Sequence, residues 1–290
     1  MLPTHSKKGE ETFPLEMDHL PEFAIKKCQV ELKETPEKKL KALQEVREFL
    51  RKNQKTSDID FHDDFIVQHL RKCKYDVART CKSIHNSVIT RSKHSEEFRS
   101  IKDEYFSTKD STKVIRVLPK RTPDGCAFVL IQFGKWDPNE LEFMDLKRMI
   151  ATCYVQLLRD PMTQINGIKA IFDFDGTSFQ HFRHGTPQSL YLYYNVAFNC
   201  IPGRYKSTHF INHSVLLKPL WAFFKQFISA KMRSRIHFHS NIEDLLEYFP
   251  RSVLPAEYGG DLTDLSAKDW VRRANREQAS NSIGGQPNVY

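Results

Sequence analysis

The hydrophobic period changes once along this chain, and that change divides it. Up to about residue 112 the apolar residues recur only at helical spacing. From Val114 onward, short apolar runs are separated by helix-length segments. A helical first third followed by alternating strands and helices predicts a small all-helical domain joined to an α/β domain with a mainly parallel sheet. With 290 residues, 40% hydrophobic content and 21 phenylalanines, both parts can bury a core.

The individual elements follow from local signals. Thr35-Pro36-Glu37 joins an N-cap residue to proline at the first helical position, and Leu40, Leu43, Val46, Phe49 and Leu50 then recur on one face. Asp63–Lys72, Asp76–Arg91 and Glu96–Phe106 read as further helices. Val114–Leu118 and Ala127–Phe133 read as a hairpin around Pro123-Asp124-Gly125. Beyond it come a helix (Asn139–Arg159), a strand (Gly167–Phe174), a helix (Thr186–Cys200) and a strand (Tyr205–Ile211). A long apolar helix (Ser214–Met232), a strand (Arg235–His239) and a short helix (Ile242–Phe249) complete the pattern. The expected organisation is a loosely ordered segment 1–35, a helical domain 36–110, an α/β domain 111–262 and a poorly ordered polar tail 263–290.

Composition narrows the function. No stretch approaches the roughly 20 apolar residues that cross a bilayer. Met1–Glu11 is charged with no apolar run behind it, so no secretory signal is expected. Six scattered cysteines without a Cys-x-x-Cys pair fit a reducing compartment, and the expected localisation is cytoplasmic. The net charge of +8 favours an anionic partner. Zinc-finger spacing, RNP-like strands and dense Lys/Arg blocks are missing, which removes nucleic acid and leaves an acidic protein or an anionic membrane.

Two motifs suggest chemistry. Ile171-Phe-Asp-Phe-Asp-Gly-Thr177 ends a strand in Asp-x-Asp, as in haloacid-dehalogenase-like Mg²⁺ phosphatases, where Asp173 would be nucleophile and Asp175 acid/base. That motif lies past the middle of the chain, however, and the later Asp261/Asp264 pair follows a turn instead of a strand. His237/His239 and His181/His184 form pairs in separate elements with no further ligand to complete a metal site. The expectation is no catalytic residue, no metal and no cofactor.

The apolar helix carries more. Between Val215 and Ile228, apolar residues cover nearly the whole circumference, interrupted by Lys218 and Lys225. Such a helix is either fully buried or faces something apolar on both sides. Arg204 and Lys206 precede it and Lys231, Arg233 and Arg235 follow it, a frame suited to an anionic bilayer.

At these residues the chain resembles the CRAL-TRIO lipid-binding family, in particular its tocopherol and retinaldehyde carriers. The resemblance rests on Asn166-Gly-Ile-Lys-Ala-Ile-Phe-Asp173, His209-Phe-Ile-Asn212, Arg235-Ile-His-Phe-His239 and Phe249-Pro-x-x-x-Leu-Pro-x-Glu-Tyr-Gly-Gly260. It extends to His69-Leu-Arg-Lys-Cys-Lys-Tyr75 and covers about residues 37–262. It implies a carrier that encloses one hydrophobic ligand (tocopherol, a retinoid, another isoprenoid or a phospholipid) and exchanges it at membranes. A lipid sensor or adaptor tethered by a phosphoinositide is the alternative. The implied pocket comprises Ile150, Tyr154, Ile168, Phe172, Val196, Ile201, Tyr205 and Thr208, with Leu217, Trp221 and Phe224 on a lid. The implied phosphoinositide cleft comprises Arg71, Arg204, Lys206, Lys231 and Arg235. An Asp-x-x-Gly stretch commonly ends the corresponding strand in this family, which accounts for Asp173 and Gly176 without phosphatase chemistry. Gly203, Thr177, Gln226 and Tyr154 depart from the tocopherol carrier's pattern, so the cavity is expected to differ in shape.

Overall fold

The computed structural model describes residues 20–263, 268–280, 282–283 and 286–287. The helical part is built on α2 (Pro36–Lys52), α3 (Asp63–Lys72) and α4 (Val77–Lys93). Thr35 Oγ1 accepts from Lys38 N and an Asp76 carboxylate oxygen from Arg79 N, so both predicted caps form. The three helices bury Val46, Leu50, Ile66, Leu70 and Ile84 between them. They dock on the α/β part through Lys72, whose ammonium donates to the carbonyls of Phe198 (2.8 Å) and Ile201 (3.2 Å).

The five-stranded sheet runs β1 (Ile115–Val117), β2 (Ala127–Gln132), β3 (Ile168–Asp173), β4 (Tyr205–Ile211) and β5 (Ile236–Phe238), in that spatial order. The β1–β2 pair is the predicted antiparallel hairpin, and all later pairs are parallel. Gly125 in its turn has φ +82°, and a Cβ there would lie 2.7 Å from Asn166 Nδ2, so only glycine fits. Alternation divides the central strands between two cores. Val129, Ile131, Ile168, Ala170 and Phe172 face one; Phe128, Leu130 and Ile171 face the other, with Phe249 and Leu254. A sheet covered on both faces reads as continuous apolar strands, as β2 does.

Besides several single-turn helices, the longer helices that follow are α5 (Phe143–Leu157), α6 (Pro161–Asn166), α7 (Pro187–Tyr194), α8 (Leu217–Phe224) and α9 (Lys268–Ser280). Ahead of the helical domain lies a further short helix (Glu22–Lys27) that runs into a π turn, Cys28–Leu32.

Several elements differ from expectation. Residues 20–34 are not loose: Ala24, Cys28 and Leu32, one helical turn apart, are buried against Met162 and Ile165. The rest of that segment, 1–19, lies outside the described residues. The expected tail contains α9, which buries Trp270, Val271 and Ala274 in the main core. The expected helix 96–106 is instead a 3-10 turn (Ser95–Phe98), a non-helical stretch and the start of a short helix, Tyr105–Thr108. One cause links these two differences: Asn275 of α9 donates to Ile101 O (2.9 Å) and accepts from Ile101 N (2.8 Å). With both its backbone groups taken by a side chain, Ile101 has none left for a helix. The long helix 214–232 breaks after Phe224 because Ser229 is extended and caps a new turn, Ala230–Arg233, accepting from Met232 N at 3.2 Å. Helix 186–200 ends as a π segment from Asn195, and 242–249 contains a 3-10 helix, Ile242–Glu247.

Asn275→Ala should destabilise the protein by about 2 kcal/mol, because it strands a buried N–H and a buried carbonyl. Urea denaturation with an unchanged m-value would show it; an unaltered midpoint would deny Asn275 this role.

Candidate functional site

Phe172, Phe210 and Phe238 stand in register on β3, β4 and β5. Their rings run side by side, 5.2 Å and 4.9 Å between centroids. On the pleated face of a parallel sheet, such a row makes a continuous aromatic floor. Phe133 and Phe174 extend it, α5 supplies one wall through Phe143, Leu146 and Ile150, and α7 contributes Leu190 and Tyr193. Leu217, Leu220, Trp221 and Phe224 of α8 lie over it, and the cavity between them measures about 230 Å³. Lys147, Thr177, His181, His184 and Ser189 are the hydrophilic side chains in this wall. Lys147 is held at 2.6 Å by Glu97. Across Lys147, Ile150 and Tyr193 lies a second cavity of about 60 Å³, lined also by Tyr154, Val196, Ile201 and Tyr205.

Of the sequence-predicted pocket residues, Ile150, Phe172, Leu217, Trp221 and Phe224 therefore lie in the larger cavity's wall. Tyr154, Val196, Ile201 and Tyr205 lie in the smaller one. Ile168 and Thr208 lie in neither: Ile168 is 1% exposed in solid core, and Thr208 pairs with Ile236 between the two spaces. Phe133, Phe210, Phe238 and Tyr193 were missed; one phenylalanine per strand near the ends of β3, β4 and β5 was the available signal. Gly203 and Tyr205 depend on each other. A Cβ on Gly203 would lie 3.1 Å from the Tyr205 ring, so the glycine leaves room for the tyrosine.

The apolar residues from Val215 to Ile228 divide among three surroundings. One face roofs the cavity, and Trp221 meets Phe238 edge-on at 5.3 Å. Just beyond the helix, Phe227 packs on Tyr191 and Tyr194. Val215 (70% exposed) and Leu216 point outward beside exposed Lys218 and Lys225.

The cations also converge, with one exception. Arg71 from α3 donates to Gln164 Oε1 (2.5 Å), and Arg204 donates to the carbonyl of the next residue, Ile165. Arg235 donates to Tyr205 O (2.5 Å), between Arg204 and Lys206. Lys231 sits exposed on the helical turn 230–233. The cleft is occupied from within. Glu34 takes Arg71 with both oxygens (2.9 and 2.8 Å), while Glu31 pairs with Arg204, Lys206 (3.4 Å) and Lys74 (3.6 Å). Burial pushes the Glu31 carboxyl up, but Arg204, Lys206 and Lys74 overcome it and hold the group down at about 2.

The two chemical motifs are structural. Asp173 is 6% exposed, and both of its oxygens are taken. Oδ2 accepts from Tyr258 (2.6 Å); Oδ1 accepts from Asn212 and from Asp175 N (2.9 Å each). A carboxylate so engaged ties β3 to the 256–258 turn. His181 Nδ1 accepts from Ser178 N (3.0 Å), so its Nε2 carries the proton and donates to Trp136 O (2.8 Å). His237 and His239 stack against His209 at 4.8 and 5.1 Å. Among the described residues no three His, Cys, Asp or Glu side chains converge to hold a metal ion.

A cavity roofed by an amphipathic helix and set on a parallel sheet matches the sequence motifs, and the family model of the CRAL/TRIO domain matches residues 111–260. The chain belongs to the CRAL/TRIO family. The human alpha-tocopherol transfer protein-like is 29% identical over 252 residues, spanning 87% of this chain and 74% of that protein. Rat clavesin-1 is 28% identical over 251 residues, spanning 86% and 71%. The crystal structure of Sfh5 aligns with 92% of this chain and 100% of its own at 10% identity and a TM-score of 0.47. CRAL/TRIO membership makes this a lipid-binding protein of a carrier family, not an enzyme. Among the described residues no helix is long and apolar enough to cross a membrane.

Asp173→Ala should lower stability by about 2–3 kcal/mol through loss of charge-assisted bonds to buried donors. Phosphate-ester hydrolysis should stay at the blank rate in both proteins. Turnover in the parent that vanishes in the variant would restore the phosphatase reading.

A pH effect follows from the histidine stack. Burial, then His237 and His239, push His209 down to about 3, so the folded protein keeps it neutral while the unfolded chain protonates it near 6.5. Its contribution is complete above about pH 6.5 and is lost as pH falls toward 3. Between pH 7 and 5 the parent should lose about 2 kcal/mol more than His209→Gln does. Equal losses in urea titrations would show that His209 protonates in the fold.

Proposed function

We propose that this CRAL/TRIO protein carries one hydrophobic lipid in the cavity under α8 and exchanges it at anionic membranes, docking on phosphoinositide head groups through the basic cleft. The observation that carries this reading is the aromatic-floored, apolar-walled cavity itself, roofed by a helix. A preformed apolar space removes ligand surface from water at ~25 cal/mol per Å², enough to compete with a bilayer for a single isoprenoid, retinoid or acyl chain. Docking is supported by the ring around the lid. Phe179 (72% exposed), Val215 and Leu216 would enter the acyl boundary, and exposed Lys218, Lys225, Lys231 and Arg233 would meet anionic head groups. This makes the protein cytoplasmic and reversibly associated with membranes.

The test joins identity to mechanism. Native mass spectrometry of protein from its own source, followed by lipid extraction, should find one lipid per chain. Reloading should change tryptophan emission more in the parent than in Trp221→Phe, where Trp136, also in the cavity wall, keeps part of the response. Lys206→Gln with Lys231→Gln should weaken binding to phosphoinositide vesicles by about 2 kcal/mol, ~1 per cation. That loss should shrink with salt and leave lipid loading unchanged. Protein that is empty at source and takes up no lipid would end the carrier reading.

A further inference from the structure

Glu31 and Glu34 stand where the phosphates of the proposed head group would stand. A carboxylate and a phosphate offer a guanidinium the same thing, paired anionic oxygens at hydrogen-bond distance. Glu34 satisfies Arg71 through both oxygens at 2.9 and 2.8 Å. Glu31 reaches Arg204, Lys206 and Lys74 at once. While they do so, Arg71 and Arg204 are only 8% and 9% exposed, so a membrane phosphate cannot reach either. We infer that residues 22–34 are a displaceable internal occupant of the basic cleft, which a polyanionic lipid head group must expel to bind. The inference rests on the docking reading above and adds a regulatory step to it.

Three observations favour an occupant that leaves over a permanent staple. The segment is held by little apolar contact, since only Ala24, Cys28 and Leu32 are buried while Phe23, Ile25 and Val30 are 48%, 45% and 72% exposed. Its geometry is irregular, a six-residue helix running into a five-residue π turn and ending at Lys33 with φ 60°. The charge is also unbalanced. Two carboxylates face Arg71, Lys74, Arg204, Lys206 and, one residue away through Tyr205 O, Arg235. A ligand carrying more negative charge than two carboxylates therefore gains more from the same cations. Because the occupant is covalently linked, it competes at high local concentration, and head-group affinity falls by the fraction of time the cleft is filled.

The full-length protein is mixed with phosphatidylcholine vesicles containing or lacking a few per cent phosphatidylinositol bisphosphate, and amide exchange is followed over residues 22–34. Exchange there should rise only with the phosphoinositide. Glu31→Gln with Glu34→Gln should bind those vesicles about five- to tenfold more tightly and plain vesicles no better. A second arm uses soluble inositol trisphosphate. If it also raises exchange, the head group alone expels the segment; if only vesicles do so, the bilayer takes part. Vesicle binding with residues 22–34 still protected, and no gain in the double variant, overturns displacement while leaving the docking reading intact. No phosphoinositide binding by parent or variant overturns both. Binding by the variant alone supports displacement in its strongest form. The exchange measurement needs no variant, so it decides the matter even if the double substitution does not fold.

Discussion

Two guanidinium groups buried at the joint between the helical and α/β parts set most of what surrounds them. A charge taken out of water costs several kcal/mol unless it is paired and hydrogen-bonded. Arg71 and Arg204 meet that demand with Gln164 Oε1 and Ile165 O, neighbours at the end of α6, and with Glu34 and Glu31 from the N-terminal segment. The demand fixes how α3 sits against α6, and it accounts for the order of a segment with so little apolar surface. It also places the cavity. Arg204 starts the stretch in which Tyr205 enters the smaller cavity wall, while Arg235 holds the Tyr205 carbonyl from the next strand. The basic cluster and the smaller cavity thus share one short piece of chain, Arg204–Lys206.

The elements legible in the sequence are those whose periodicity was written in apolar residues. β2 and β3 are apolar on both faces because both faces meet a core. β4 appeared with its bounds as Tyr205–Ile211, and α3 as Asp63–Lys72. The elements that escaped are held by polar inner faces. α9 buries Asn275 (3%) and Gln278 (2%) beside a narrow stripe of Trp270, Val271 and Ala274. A stripe flanked by amides and arginines reads as a solvated tail until the partner backbone is known. The same amide hydrogen bonds, to Ile101, turned part of an expected helix into a non-helical stretch. Propensity is a weak prior, and a side chain distant in sequence overrode it at both ends of one contact.

Positions transferred by resemblance behaved differently from positions read by period. Phe172 was assigned from its motif, but its partners Phe210 and Phe238 follow from strand register, which a sequence does not print. Ile168 and Thr208 hold their motif positions, yet neither lines the two cavities, whereas Tyr154, Tyr193 and Tyr205 line the smaller one. Gly203 shows the mechanism: a Cβ there would lie 3.1 Å from the Tyr205 ring, so the absent side chain leaves the ring its place. A family motif fixes where a wall stands, and its substituents decide what shape the wall encloses.

The lid illustrates how an apolar cavity and a movable roof require each other. No residue of α8 is fully buried, and its inner face lines the cavity. Each side chain along a void lacks contact partners on one side and forfeits part of its dispersion energy. The helix is retained largely by ring contacts, Trp221 on Phe238, Phe224 on Tyr193 and, just past the helix, Phe227 on Tyr191 and Tyr194. Segments with few buried contacts open at low free energy. An apolar ligand beneath the roof would supply the missing contacts along Leu217, Leu220, Trp221 and Phe224 together. Occupancy would then stabilise the closed lid by mass action. Opening is easiest where the outer face has somewhere apolar to go, and Val215 and Leu216 already point there. In a carrier built this way, the membrane that receives the lipid also supplies the surface on which the emptied lid can rest.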